Sequence, residues 1–315
     1  MTTSIRTLTL PDHELVHRIN PLPPGLDVGV WDLSGEPDGV DLDQVQAVVL
    51  PYIDAGSVLG NLARVPGLAL VQTQTTGYDG VREAVSPDVA IATASGVHAA
   101  ATAELAVGLM LASLRGIDQA ARDQRAGVWR PERRMSLADR KVLLVGVGGI
   151  GTEIARRLEP FEVVLTRVGH SARDDANGHI HGSDELVDLA SSADVLVVIT
   201  PLTEATTGLI DAATLASMPD GALVVNVARG AVVDSAALTA EVVSGRLKCA
   251  IDVFDPEPLP ANHPLWLAEN ALVTPHIGGN TSAFEPRIAA LLKDQFEALA
   301  SGGTPRNLVQ LGRFA

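Results

Sequence analysis

The sequence predicts an α/β protein built from two doubly wound domains, each with a parallel sheet. Its length is 315 residues, which at about 150 residues per domain corresponds to two domains. Apolar residues make up 46% of the chain and charged residues 19%, a composition that excludes a disordered chain or a coiled coil. From residue 140 onward, short apolar runs alternate with helix-like segments, the pattern of strand-helix-strand units.

The second half of the chain carries six strand-like runs. Each is short and apolar, as expected for strands buried on both faces of a sheet. The runs are Lys141–Val145, Val163–Leu165, Val195–Ile199, Leu223–Val227, Ala250–Phe254 and Leu272–Thr274. A helix is predicted over Gly149–Leu158, and the segments at Ser183 and Asp234 begin with helix-capping residues. Because such crossovers are right-handed, we expect a parallel sheet with helices on both faces.

The first ninety residues predict a smaller α/β domain. Its strand-like segments are Val45–Leu50, Leu68–Thr73 and Val89–Ala92, with a helix-like segment at Ala55–Ala63. An alanine-rich stretch over 99–114 predicts a long connecting helix with an apolar face, and a last helix over 283–300 returns to the first domain. We therefore predict one domain from residues 1–96 and 283–315 and another from 97–282, joined by two crossing helices.

Charge and cysteine content limit the partners. The formal net charge is −15, which argues against binding to nucleic acid or to an anionic membrane surface. One cysteine cannot form an internal disulfide, and neither a signal peptide nor a long apolar span is recognisable. These features predict a cytoplasmic protein.

A dinucleotide-binding fingerprint follows the first strand of the second half. Gly146, Gly148, Gly149 and Gly151 give the pattern G-x-G-x-x-G between a predicted strand and a predicted helix. The first glycine allows a tight turn, the second allows a pyrophosphate to approach the backbone, and the third allows helix and strand to pack closely. The helix start offers N–H groups to the phosphates. This context favours a Rossmann domain over an ordinary glycine-rich turn.

The turn after the next strand lacks the acidic residue that holds the ribose of NAD. Gly169 occupies the expected position, and His170, Ser171, Arg167 and Arg173 surround it with groups that donate to phosphate. The sequence therefore predicts that NADP(H) is preferred and NAD(H) possible. The alternative is that both arginines are simply solvated, and the neighbouring acids at 174 and 175 would weaken phosphate binding.

Three motifs follow late strands, and they carry the chemistry. They are Asn226-Val-Ala-Arg229-Gly230, Asp252-Val-Phe254-Asp-Pro-Glu257-Pro258 and Thr274-Pro275-His276-Ile-Gly278-Gly279. The carboxyl ends of strands in an open α/β sheet face the ligand crevice, so Arg229, Glu257 and His276 have a route to one site. With Gly77-Tyr-Asp79, Thr102-Ala-Glu104, Gly127-Val-Trp129 and Thr200-Pro-Leu-Thr203 in the same order, the sequence resembles the D-isomer-specific 2-hydroxyacid dehydrogenase family.

The reaction of that family suggests a role for each catalytic candidate. Arg229 is a permanent cation with a planar fork that binds the carboxylate and carbonyl oxygens of a 2-oxo acid. His276 is the proton donor in reduction and the acceptor in oxidation, and Glu257 orients its ring and raises its pKa.

The resemblance also implies substrate contacts, cofactor contacts and a partner. Tyr52, Thr76 and Gly77 are expected to contact the substrate, in addition to Arg229 and His276. Further cofactor contacts are expected at Thr102, Ile150, Thr200, Pro201, Thr206, Ala228, Asp252 and Gly278. The resemblance implies a small 2-oxo or 2-hydroxy acid as substrate and a homodimer with an arm near Trp129.

Other interpretations of the sequence remain. His13-Glu14-Leu-Val-His17 matches the zinc-protease pattern H-E-x-x-H, but no third ligand follows at a known offset, and no metal is expected. His179 and His181 have chelating spacing in a polar loop, and Cys249 is expected in the core. A non-catalytic dinucleotide sensor with the same fold is the alternative function.

Overall fold

The computed structural model of the chain describes residues 5–314. The chain divides into two compact units. The terminal unit comprises the residues up to His98 together with those from Ser282 onward, and the central unit comprises Ala99–Thr281.

Fourteen strands and ten α-helices are found in the described residues. The strands are β1 Thr7–Leu10, β2 Asp27–Val30, β3 Ala47–Val49, β4 Leu70–Gln72, β5 Ala90–Ala92, β6 Lys141–Val145, β7 Val164–Val168, β8 Arg173–Asp175, β9 Gly178–Ile180, β10 Val195–Val198, β11 Leu223–Asn226, β12 Lys248–Ile251, β13 Ala271–Val273 and β14 Leu308–Gln310. The helices are α1 His13–Ile19, α2 Ala55–Val58, α3 Val81–Ala84, α4 Ala99–Arg115, α5 Ile117–Ala126, α6 Gly149–Leu158, α7 Leu186–Ala190, α8 Ala212–Ser217, α9 Ser235–Val243 and α10 Phe284–Ala300.

The central unit is built on a six-stranded parallel sheet in the order β13-β12-β11-β10-β6-β7. Strand β6 has β7, the next strand of this sheet along the chain, on one side and β10 on the other. The direction in which strands are added to the sheet therefore reverses at β6. Ligands of open α/β sheets bind at such a switch point. The sheet is buried on both faces, since Leu144, Leu196 and Val197 are all fully inaccessible. This confirms the doubly wound fold predicted from the apolar runs.

The terminal unit has a second six-stranded sheet, in the order β14-β5-β4-β3-β1-β2. Strands β1 to β5 are parallel and follow the flavodoxin-like order, whereas β14 pairs antiparallel with β5 at the edge. Helix α10 belongs to this unit: Leu292 and Phe296 are buried in one core with Leu8 and Leu70. The predicted return of the last helix to the first domain has this packing as its physical basis.

Two local predictions are wrong. The helix expected over 55–63 ends at Val58 and continues as a 3₁₀ segment, Leu59–Arg64, since Gly56 and Gly60 are poor helix formers. The loop expected around His179 is instead the antiparallel hairpin of β8 and β9.

No single helix within residues 5–314 has the length and apolar content to cross a membrane. Helices α4 and α5 reach that length and apolar content only together, and the chain bends by 60° between them.

Candidate active site

The glycine fingerprint forms the turn between β6 and α6. Gly146 has a φ of +115°, and a Cβ there would lie 2.7 Å from the carbonyl carbon of Ile199 on the neighbouring strand end. A Cβ on Gly151 would overlap the carbonyl oxygen of Gly146. Gly148 and Gly149 have nothing within 4 Å of a Cβ, so the helix start is open where a pyrophosphate would approach. The turn therefore fits a dinucleotide.

The segment after β7 shows why an acid is missing at position 169. A Cβ on Gly169 would lie 3.0 Å from Arg173 Nη1 and 3.0 Å from Ile180 Cγ2. The Arg173 guanidinium thus occupies the space into which an acidic side chain would project. His170 and Ser171 are exposed beside it.

Arg167 is engaged differently from the sequence expectation. Its guanidinium donates to both carboxylate oxygens of Asp175, each at 2.8 Å, and to the carbonyl oxygen of Gly178 at 2.9 Å. The side chain is 11% exposed. These bonds hold the β8–β9 hairpin against β7, whereas Arg173 and His170 are exposed.

His276 and Glu257 form the central pair of the candidate site. Nδ1 of His276 lies 2.8 Å from Oε2 of Glu257, and Oε1 of Glu257 accepts from the backbone N–H of Phe254 at 3.0 Å. The histidine side chain is 48% exposed and the glutamate side chain 37%. The glutamate fixes one ring nitrogen, so the other ring nitrogen is the one available to a substrate.

Electrostatics place the three catalytic candidates in one environment. The hydrogen bond that His276 donates to Glu257 raises the pKa of His276, against the opposing effects of burial and of the positive charge of Arg229. Burial opposes ionisation of Glu257, but the hydrogen bonds from His276 and the Phe254 N–H prevail and hold its pKa below the usual value. The charge of Arg229 acts on both groups, in the direction expected of a neighbouring cation.

A buried carboxylate organises the loop that carries His276. Asp252 is 4% exposed and accepts three hydrogen bonds: from the Thr274 hydroxyl at 2.6 Å, the Ile277 N–H at 2.9 Å and the Gly278 N–H at 2.8 Å. Its backbone carbonyl accepts from the N–H of His276 at 2.8 Å. His276 itself has a φ of +52°, a conformation that non-glycine residues adopt only when the surroundings enforce it.

Sequence reasoning gave Asp252 only a cofactor contact and gave Thr274 no role. The available signal was that each is the first residue of a catalytic motif, Asp252 of the one with Glu257 and Thr274 of the one with His276. The structure shows that together they fix the turn that presents the imidazole.

The turn after β11 fixes the backbone position of Arg229. The Asn226 side chain accepts from the Ala228 N–H at 3.0 Å and donates to the Arg229 carbonyl at 3.1 Å. The guanidinium of Arg229 donates to the Ala228 carbonyl at 2.8 Å. A Cβ on Gly230 would overlap the backbone of Phe254, so this turn packs directly on the chain that leads to Glu257.

The remaining cofactor candidates lie in the central unit. Thr102 is buried near the start of α4, with its methyl group 3.4 Å from the Cβ position of Gly278. Ala228 is also buried, and Pro201 is exposed at the turn after β10. Thr206 donates to the Pro201 carbonyl at 2.6 Å and accepts from the Thr203 N–H at 2.8 Å, which closes that turn. Ile150 and Thr200 are half-buried.

The substrate candidates Thr76 and Gly77 lie in the terminal unit, on the turn after β4. The Thr75 hydroxyl donates to the Gly77 carbonyl at 2.6 Å, and Gln74 donates to the Leu50 carbonyl at 2.9 Å. A cavity of about 140 Å³ lies beside this turn. Its lining includes Leu50, Pro51, Leu59 and Tyr78 together with the polar residues Thr73, Gln74, Thr75 and Asp79.

Tyr52 is part of a three-ring stack in the same unit. Its ring centroid lies 4.1 Å from that of Phe284 and 5.6 Å from that of His98. The stack fixes the tyrosine ring.

Two other sequence features have structural roles. His13 and His17 lie on α1 as the H-E-x-x-H pattern requires, but His13 pairs with Asp38 at 3.3 Å, and no three-ligand group forms there within residues 5–314. Cys249 is inaccessible, and burial raises its pKa to about 12, which disfavours the thiolate that a nucleophile needs.

Comparison with known proteins identifies the family. Residues 107–278 match the family model of the D-isomer specific 2-hydroxyacid dehydrogenase NAD binding domain. The chain is 34% identical over 255 residues to a glyoxylate reductase from Thermofilum pendens, covering 78% of this chain and 75% of that one. It is 34% identical over 234 residues to the human glyoxylate reductase/hydroxypyruvate reductase, covering 68% of each.

A solved structure shares the fold. The NADPH-dependent glyoxylate/hydroxypyruvate reductase from Sinorhizobium meliloti, in complex with NADP and malonate, gives a TM-score of 0.81 at 27% identity. The match covers 99% of this chain and 98% of that one.

Proposed function

Because this chain belongs to the D-isomer specific 2-hydroxyacid dehydrogenase family, we propose that it transfers a hydride between NADP(H) and a small 2-oxo or 2-hydroxy acid, with D specificity. The observation that carries the proposal is the His276–Glu257 pair at 2.8 Å, within the electrostatic reach of Arg229. Arg229, Glu257 and His276 follow the carboxyl ends of the neighbouring strands β11, β12 and β13. Open α/β sheets bind their ligands at this edge.

Each side chain has a defined task in the proposed reduction. The bound nicotinamide supplies the hydride. Arg229 binds the carboxylate and polarises the carbonyl oxygen of the 2-oxo acid, because a guanidinium stays charged at every working pH. His276 gives its proton to that oxygen as negative charge develops, and Glu257 stabilises the protonated ring beforehand. In the oxidative direction, the neutral His276 takes the proton back.

The preference for NADP(H) follows from the space beside Gly169. An acid at this position would bind the ribose hydroxyls of NAD and repel a 2′-phosphate, whereas Arg173 Nη1 lies 3.0 Å from the Cβ position. We propose that Arg173, with His170 and Ser171, receives the 2′-phosphate. Arg167 supports the segment through Asp175 instead of contacting the phosphate.

The turn at Thr76 and Gly77 is proposed to bind a carboxylate. Neither backbone N–H donates to another residue among those described, although side chains brace the turn on both sides. Such N–H pairs are suited to an anion. The cavity of about 140 Å³ beside the turn is lined by both polar and apolar residues, which favours a 2-oxo acid with a small substituent such as a hydroxymethyl group.

A substrate panel tests the proposed function directly. Glyoxylate, hydroxypyruvate and phenylpyruvate are each reduced with NADPH and with NADH, and kcat/KM is measured. We expect turnover of at least one acid and a higher kcat/KM with NADPH. Dinucleotide binding without turnover of any acid would support the sensor instead, and a clear preference for NADH would overturn the cofactor proposal.

A variant pair tests the role of Arg173. Arg173→Gln removes one charge-assisted hydrogen bond from an exposed site, so kcat/KM with NADPH should fall by about tenfold while that with NADH is unchanged. Arg125→Gln, on the exposed face of α5, is the control and should change neither value. Equal losses with both cofactors in Arg173→Gln would contradict the assignment.

A homodimer and a cytoplasmic location remain part of the proposal. Trp129 is 91% exposed, which is unusual for so large an apolar side chain and supports an interface there. Light scattering at micromolar concentration tests the dimer, and Trp129→Ser should shift the protein toward monomer.

A further inference from the structure

The β8–β9 hairpin brings two histidines onto one face. His179 lies in β9 and His181 follows the strand, so their side chains share a face because strand side chains alternate. The ring centroids are 4.6 Å apart in an edge-to-face arrangement. Asp174 pairs with His179 across the hairpin, which fixes the register of this face.

Carboxylates orient both rings. Asp174 Oδ1 lies 2.8 Å from Nδ1 of His179, and Glu185 Oε2 lies 2.8 Å from Nδ1 of His181. Glu185 also accepts from the Gly182 N–H at 3.0 Å through its second oxygen, so its position is fixed independently of His181.

Three candidate metal ligands converge at this point. One nitrogen from each histidine ring and one carboxylate oxygen of Glu185 all lie within 4.8 Å of one another. Within residues 5–314, no other group of three or more His, Cys, Asp or Glu residues brings its ligand atoms this close together. His13 and His17, the pair suggested by the sequence motif, lack a third ligand there.

We propose that His179, His181 and Glu185 form a binding site for a divalent transition-metal ion, with Zn²⁺ as the best match. Two imidazoles and one carboxylate suit Zn²⁺, and the exposed face leaves the fourth tetrahedral position to water. Asp174 then acts as the outer carboxylate that orients a ligating histidine, the usual arrangement around protein-bound zinc. The sequence predicted no metal here, because His179 and His181 were expected to be solvated in a polar loop.

The location gives the ion a structural effect on its surroundings. His181 exchanges backbone hydrogen bonds of 2.9 Å with Gly169 and Arg167, and Ser183 donates to the His170 carbonyl at 3.2 Å. A bound ion would tie the end of β9 to the turn before α7, and so would hold the segment after β7 in place. The site is chemically separate from the catalytic groups and does not depend on the proposed reaction.

Zinc titration of the metal-free protein tests the site. Isothermal titration calorimetry with ZnCl₂ after chelator treatment should show one equivalent bound, and Zn²⁺ should raise Tm because it binds only the folded state. His181→Ala and Glu185→Gln should each weaken Zn²⁺ binding by about tenfold or more, since each removes or neutralises a ligand. Glu185→Gln keeps an acceptor for the Gly182 N–H, so its fold is preserved, and a Tm without metal checks this.

A double variant at the other histidine pair is the matched control. His13→Ala with His17→Ala also removes two imidazoles from the surface, but should leave the affinity and the stoichiometry unchanged. The proposal is overturned if the control abolishes binding or if Glu185→Gln and His181→Ala bind Zn²⁺ as the parent does. It is also overturned if the parent shows no saturable binding of Zn²⁺.

Discussion

Replacing Glu257 by Gln should move the pH dependence of both reaction directions toward lower pH. The wild-type carboxylate raises the pKa of His276, so the protonated ring that reduction requires persists to higher pH. Reduction is therefore fully active below the pKa of free histidine and is lost as the pH rises through the raised pKa of the folded enzyme. Oxidation requires the neutral ring and gains activity over the same range. In Glu257→Gln, the loss of reduction and the gain of oxidation, the two limbs of the pH profiles, should both occur at lower pH.

The size of the effect follows from the exposure of the pair. A hydrogen bond to a charged group contributes about 1.5–3 kcal/mol. Because the His276 side chain is 48% exposed and that of Glu257 is 37% exposed, solvent screening favours the lower end. About 1.4 kcal/mol corresponds to a tenfold lower kcat/KM for reduction above neutral pH, with a smaller loss at acidic pH.

The assay is kcat/KM against pH in both directions, followed by the absorbance of NADPH. Asp38→Asn is the control, because it removes an exposed carboxylate from His13 in the other unit and should leave both limbs in place. If the limbs of Glu257→Gln coincide with those of the parent, Glu257 does not set the protonation of His276 and the reasoning fails.

Three further changes test other parts of the site. His276→Gln should lower kcat by about 10²-fold or more while fluorescence titration shows unchanged NADPH binding, and undiminished turnover would exclude the proton-transfer role. Gly151→Ala forces a Cβ onto the Gly146 carbonyl and should cost about 1–3 kcal/mol in thermal unfolding, whereas Gly149→Ala, with open space around it, should not. Asp252→Asn places an amide N–H against an N–H donor of the His276 loop, so the free energy of unfolding in denaturant should fall by about 1–3 kcal/mol and kcat should fall as well. An unchanged kcat would show that Asp252 does not position the imidazole.

The sequence alone determined the α/β class, the glycine turn and the membership of the family. These depend on local information. Apolar runs define buried strands, and the fingerprint places glycine at 146 and 151, where the structure leaves no room for a Cβ. Three strands of the terminal sheet, β1, β2 and β14, were not predicted. Edge strands β2 and β14 are short and only partly buried, whereas β1 is buried inside the sheet but alternates threonine with leucine over only four residues.

Only the tertiary structure decided how the charged groups pair. The partners of Asp252 lie 22 to 26 residues away, and Arg167 meets Asp175 only because β8 and β9 fold back as a hairpin. Sequence shows which donors and acceptors exist, but burial and strand order select which of them meet. That selection made Asp252 the support of the His276 loop, paired Arg167 with Asp175, and brought His179, His181 and Glu185 to one point.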